Sequence, residues 1–372
     1  MKKMLTIAVL ILAGLLTFGC QKTYIVDPLP ASAAHWQNVG RTTFTASNPY
    51  DTSLFVYNGE PYAAFMDAAH SDSLTTMVDK GGAIPVATPI PWQTVGNAGF
   101  TPGGIYNPSL FLYNGTPYAA FADTNGHPSV MEYNGTAWVT IGATAFFPTP
   151  VQTLSLVVYQ GTPFLLFEDD DAGSSGTVMS YNGSAWVTVG SPDFTPPMIY
   201  EPSLFIDHGT PYVTYQDQGT DSHVSAMTYN GTAWVTVGSP DFTPNEALYP
   251  SIFVDNGTPY VAFMDISTSK ASVMKYNGSA WVNVGNPNFS PGGIQFTSLA
   301  VYNGTPYVAF GDLNTSQKGA SVMKFNGSSW VYVGNAGFSS VEAVAPSLFI
   351  YNGTPYVTFQ DPSNNVYVMK YQ

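Results

Sequence analysis

Charged side chains are scarce in this chain: they make up 9% of its 372 residues, and 24 acids outnumber 10 bases for a net charge of −14. Arg41 is the sole arginine. That balance offers no basic stripe to hold a phosphate backbone or an anionic bilayer, so nucleic acid and direct lipid-surface binding are excluded as functions. Cys20 is the sole cysteine, which rules out disulfides within the chain. The apolar run from Met4 to Phe18 is short for a membrane span. His70, His127 and His223 are scattered without metal-ligand spacing, and no nucleophile-elbow serine motif is present.

What the chain has in abundance is repetition. SLFLYNGTPYAAFAD (109–123) followed by SVMEYNGTAWVTIG (129–142) recurs with small edits to the C-terminus, its opening serines falling at Ser53, Ser109, Ser155, Ser203, Ser251, Ser298 and Ser347. The steps between them are 56, 46, 48, 48, 47 and 49 residues. A period of that size, holding several short strand patterns, marks a β-propeller. Within a unit, Asn114-Gly115 and Asn134-Gly135 each separate two β-rich runs, the strongest short-range hairpin signal. Each unit therefore reads as a four-stranded antiparallel meander with strands a, b, c and d. Strand b is apolar on both faces and must be covered on both sides. Strand c is half polar, with Glu132, Ser180, Thr228, Lys275, Lys324 and Lys370 at one equivalent position, which places it toward the rim.

The last unit stops at VYVMKYQ (366–372) without a strand d, whereas WQNVG (36–40) stands at the other end with no unit of its own. Trp36 precedes Ser53 by 17 residues, the same interval as Trp92 to Ser109. The expected fold is all-β: a seven-bladed β-propeller over 36–372, closed by strand 36–40 acting as strand d of the last blade.

The Asn-Gly turns lie on one face of such a disc, and the b–c and d–a connections on the other. These second connections vary, as in TPGGIYNP, FPTPVQTL, TPPMIYEP and TPNEALYP, so the loop face is the expected recognition surface. Blade 1 alone carries an insertion, GGAIPVATPIP (81–91), before its strand d. Two positions recur in every blade. An aspartate six residues after the strand-b proline (Asp67, Asp123, Asp169, Asp217, Asp265, Asp312, Asp361) is read as a loop cap. A phenylalanine four after the strand-d glycine, from Phe44 to Phe338, is read as packing between blades.

Residues that break the symmetry are the better ligand candidates. Tyr50, Tyr106, Tyr200 and Tyr249 begin strand a near the expected channel mouth, and a tyrosine ring with its hydroxyl suits a sugar. Glu168, Asp170, Asp171 and Glu201 add carboxylates, and His127 and His223 stand in the b–c loops. The run Glu168-Asp169-Asp170-Asp171 matches no full calcium loop, so no cofactor is expected; Ca²⁺ is admitted only there, with Asp169 and Asp171 as its candidates.

Lys2 and Lys3, the apolar run and Gly19-Cys20 together resemble a bacterial lipoprotein signal, with Thr17 departing from the usual leucine three before the cysteine. That resemblance implies a signal peptide over 1–19 and a lipidated Cys20. A Pro/Ala/Ser tether then runs to residue 35, the only membrane attachment being the lipid, in the cell envelope and outside the cytoplasm. NAGF (97–100), NPNFSPGG (286–293) and NGTPYVAFGD (303–312) make the repeat similar to bacterial secreted or cell-surface propeller arrays, which implies a surface-exposed binding module. The expected function is non-catalytic recognition of a glycan or an envelope protein. A glycan-cleaving enzyme using acids such as Glu168, Asp170 or Glu201 is the alternative, and sialidase-type chemistry is excluded because its arginine triad is missing. A scaffold without a small ligand is the third reading.

Overall fold

The computed structural model describes residues 34–40, 50–81 and 92–372. Cys20, the segment 1–33, Phe44 and nearly all of the 81–91 insertion lie outside them. The described part falls in one compact unit, Ala34–Gln372.

Seven four-stranded antiparallel sheets form the unit. Blade 4 shows the pattern: strand a Ile199–Asp207, b Thr210–Asp217, c His223–Tyr229 and a short d Trp234–Thr236. In the seventh sheet, Trp36–Asn38 pairs antiparallel with Val366–Tyr371, Trp36 facing Tyr371 and Asn38 facing Met369. Strand a of every blade packs on strand a of both neighbours, the seventh on the first included, so the ring is closed. Strand b is buried along almost its whole length, with Val213, Val261 and Val308 fully covered from both sides.

Three repeated contacts seal blade to blade. The strand-d tryptophan donates its indole N–H to the carbonyl of the residue just past strand d of the preceding blade in every blade: Trp36 to Val333, Trp92 to Val39, Trp138 to Val95, Trp186 to Ile141, Trp234 to Val189, Trp281 to Val237 and Trp330 to Val284. In the six blades where it is described, the phenylalanine of the preceding blade stacks flat on that ring, as Phe242 does on Trp281 at 4.0 Å and Phe146 on Trp186 at 4.4 Å. The opening serine does more than begin a strand. Its hydroxyl oxygen accepts the backbone N–H of the next blade's strand a, as Ser109 does from Leu156 at 3.0 Å and Ser298 from Leu348 at 2.9 Å. Two residues after that serine, Phe349, Phe55 and Phe111 of successive blades touch at centroid distances of 4.7 Å, and Phe205 meets Phe253 at 4.5 Å. These rings form two aromatic arcs near the axis, separated by Val157 of blade 3 and Ala300 of blade 6.

The Asn-Gly turns divide into two devices, which corrects the single hairpin reading. The a–b turns have both central residues at positive φ, Asn114 at 49° and Gly115 at 82°, as a type I′ turn requires. In blades 2 to 6 the c–d connections are four-residue loops in which the asparagine side chain does the work. Asn182 Oδ1 accepts the backbone N–H of Ser184 and of Ala185 and the Ser184 hydroxyl, at 3.0, 3.0 and 2.9 Å. The Thr or Ser of each such triplet is thereby used inside the loop.

Candidate functional site

Strand a does not run straight to the loop face. Its register with strand b slips at the same place in every blade, for example between Tyr200 and Ser203 and between Leu248 and Ser251. In six blades the bulged residue is left-handed although none is glycine: Asn107 (φ 51°), Thr153 (40°), Glu201 (48°), Tyr249 (56°), Phe296 (58°) and Ala345 (46°). Holding a non-glycine residue there costs about 1 kcal/mol or more. The backbone conformation is kept while the side chain changes from blade to blade. A bulge re-aims a side chain, and here it sets a ring of six chemically different groups around the inner rim of the loop face.

Blades 4 to 7 join part of that ring into a site. Glu201 Oε2 accepts the backbone N–H of Tyr249 in the next blade at 2.9 Å. The Tyr249 ring lies 4.6 Å from Phe296 of the blade after, and the Thr297 hydroxyl donates to the Tyr249 carbonyl. Glu201, Tyr249, Phe296 and Thr297, with Pro250, Ala345 and Pro346, line a cavity of about 200 Å³. Burial lifts the Glu201 carboxyl to about 7, against the opposing N–H of Tyr249. Glu168, in strand b of blade 3, lies behind it and is 2% exposed. Burial raises Glu168 to about 7; the charges of Asp170 and Glu201 add to this, while the Thr153 hydroxyl and the Glu201 N–H oppose it. Its Oε1 has no hydrogen-bond partner, and neither does Oε1 of Gln216, the equivalent residue of blade 4. Of the two raised carboxyls, only that of Glu201 lines the cavity.

Of the sequence candidates, Tyr106 and Tyr200 stand at the start of strand a and are 51% and 47% exposed. Met198 (53%) and Leu313 (37%), which the sequence reading passed over, are exposed on the same face. Tyr50 begins strand a of blade 1. Tyr249 is half-buried against Phe296, a wall of the cavity rather than a free stacking platform. His127 stays in the blade 2 loop with Nδ1 3.8 Å from Asp123, whereas His223, expected in a b–c loop, opens strand c opposite Asp217, and its Nδ1 donates to the Thr243 carbonyl at 2.7 Å. The two histidines belong to different blades and join neither the cavity nor each other.

Every recurring aspartate is a loop cap. Asp217 Oδ1 accepts the N–H of Gly219 at 2.9 Å, and Asp361 Oδ1 those of Ser363 and Asn365, both at 2.9 Å. The acidic run of blade 3 follows suit: Asp169 Oδ1 accepts the Asp171 N–H and the Thr149 hydroxyl, at 3.1 and 2.9 Å. Asp170 Oδ1 is buried without a partner. Among the described residues, no group of three or more His, Cys, Asp or Glu is arranged to hold a metal ion.

No protein-family model matches this chain, and no curated protein does. Among solved structures it is similar to a polysaccharide lyase, Ulvanlyase, bound to -[GlcA(1-4)Rha3S]- (TM-score 0.54, 14% identity, 88% of this chain and 95% of that one). It is also similar to a mutant of AofleA from Arthrobotrys oligospora (TM-score 0.50, 12% identity, 81% and 91%). The Aleuria aurantia lectin in complex with Fucalpha1-6GlcNAc aligns at TM-score 0.48 with 14% identity over 80% and 99% of the two chains. At these identities the likeness is one of fold.

Proposed function

We propose that this chain is a non-catalytic recognition propeller, lipid-anchored through Cys20 in a bacterial cell envelope, that binds a glycan on its loop face. The observation that carries the reading is the ring of left-handed bulges. A strained backbone held in six blades presents six different side chains, four of which (Glu201, Tyr249, Phe296 and Ala345) line one small cavity, with Tyr200, Met198 and Tyr106 exposed on the same face. Tyrosine faces flank hydroxyl, carboxyl and carbonyl groups there, the combination that fits a pyranose ring. Saccharide is also what the Ulvanlyase structure holds on the same architecture, which agrees with this reading.

A glycan array on the purified protein tests it. Binding is expected to be lost with Tyr200→Ala and weakened by Glu201→Gln; binding indifferent to both removes the loop face as the site. Radiolabelled palmitate incorporation that Cys20→Ser leaves intact removes the anchor.

The glycan-cleaving alternative is favoured by one feature, the paired Glu168 and Glu201 lifted to about 7. It is opposed by the burial of Glu168, which is 2% exposed and lines no cavity with Glu201. Turnover of any oligosaccharide, abolished by Glu201→Gln, would install the enzyme in place of the receptor.

A further inference from the structure

The opposite face, that of the Asn-Gly turns, is not featureless. Clefts of about 490, 520 and 520 Å³ open there between blades 1 and 2, 2 and 3, and 5 and 6. They are built from equivalent parts. The leading blade supplies its strand-b tyrosine, Tyr62, Tyr118 or Tyr260, each packed toward the next blade in the shared core. The following blade supplies the Thr-Pro step that opens its strand b and an aromatic of strand c, namely Tyr133, Tyr181 or Phe325. The Asn-Gly of its c–d loop completes the wall. Turn chemistry accounts for the asparagines and glycines, but it places no demand on the tyrosine or on what faces it.

What faces it changes sign. Directly across the strand pair, Tyr118 is opposite Glu132, whereas Tyr260 is opposite Lys275 and Tyr307 opposite Lys324. Lys275 Nζ lies 6.0 Å from the centroid of the Tyr260 ring. In the first cleft the position opposite Tyr62 is Val78, and Lys80 lines the wall instead. The seam between blades 7 and 1 is different again: there the Tyr356 hydroxyl reaches the Gly59 carbonyl at 3.4 Å and bridges the two blades.

We propose that the three open clefts are saccharide subsites, and that the Lys275 cleft takes a carboxylated sugar. Their volumes suit one or two sugar rings. The strand-b tyrosine is buried at the cleft floor, and the half-buried strand-c aromatic (Tyr133, Tyr181 or Phe325) supplies an apolar ring face; the Thr-Pro and Asn-Gly backbone supplies hydroxyl partners, and the variable charge selects among sugars. Repetition of one cleft around a rigid disc gives avidity for a polysaccharide that displays the same unit many times. The inference rests on the glycan reading above but places its contacts on the other face.

Titration calorimetry of the purified protein with tetragalacturonic acid, and with chitotetraose as the neutral comparison, tests it. Tetragalacturonic acid is expected to bind, with affinity falling as salt rises and falling about tenfold or more on Lys275→Glu. Lys318→Gln, which removes a lysine from the b–c loop face instead, should leave that binding unchanged. Lys275→Gln serves as the second variant, with melting temperature recorded for each. No binding of tetragalacturonic acid overturns the proposal. So does binding that both Lys275 variants leave intact, or binding that only Tyr200→Ala removes; this last result would support the loop face alone.

Discussion

At the scale of single residues, the seal between blades rests on side chains whose partners lie a whole repeat away. Trp186 combines an indole hydrogen bond to Ile141, 45 positions distant, with a ring stacked on Phe146. Trp186→Phe keeps the stack and loses the bond, and should cost about 1–2 kcal/mol in urea unfolding; Trp186→Ala should cost about 3–5. Ser109→Ala orphans the Leu156 N–H and should cost about 1–3 kcal/mol by the same measurement. The carboxyls of Glu168 and Glu201 make stability depend on pH. Both are raised from 4.5 to about 7, so between those values the folded chain holds protons that the unfolded chain has released. Stability is therefore greatest below 4.5 as far as these groups are concerned, falls as pH rises toward 7, and changes no further above it. Melting temperatures from pH 4.5 to 8 should show that decline, and Glu168→Gln should flatten it.

At the scale of the element, one dipeptide serves two turns, and substitution separates them. In the a–b turn the asparagine is present for its left-handed φ, so Asn114→Gly should be nearly neutral. In the c–d loop the side chain caps two backbone N–H groups, so Asn182→Ala should cost about 0.5–2 kcal/mol in thermal unfolding. The sequence made both turns visible but not their difference, because Asn-Gly satisfies either geometry. Strand order, the rim position of strand c and the capping aspartates were legible from spacing alone. The bulged rim was not: Asn107, Thr153, Glu201, Tyr249, Phe296 and Ala345 share a backbone conformation and no side-chain chemistry. Nor was the meeting of Glu201 with Tyr249, since it joins strands of different blades. The equivalence of the hairpin-face clefts was likewise hidden, because the residues that line them read as turn formers.

At the scale of the whole molecule, blade count and closure were both readable, because each tryptophan precedes its serine by a constant 17 residues and the last unit has no fourth strand. Closure is held by Trp36–Asn38 against Val366–Tyr371, by the Trp36 indole on the Val333 carbonyl, and by Phe338 stacked 3.9 Å from Trp36. Deleting residues 34–40 leaves the last sheet with a bare edge, an invitation to pair with another chain. Such a variant should melt earlier and associate on light scattering; an unchanged melt and a monomeric mass would show that the seam adds little. The seam also sets a timetable. Trp36 leaves the ribosome hundreds of residues before Tyr371, the partner it faces in the finished ring. For all of that interval the nascent strand has no sheet to join, so the toroid cannot lock before synthesis has reached its far end.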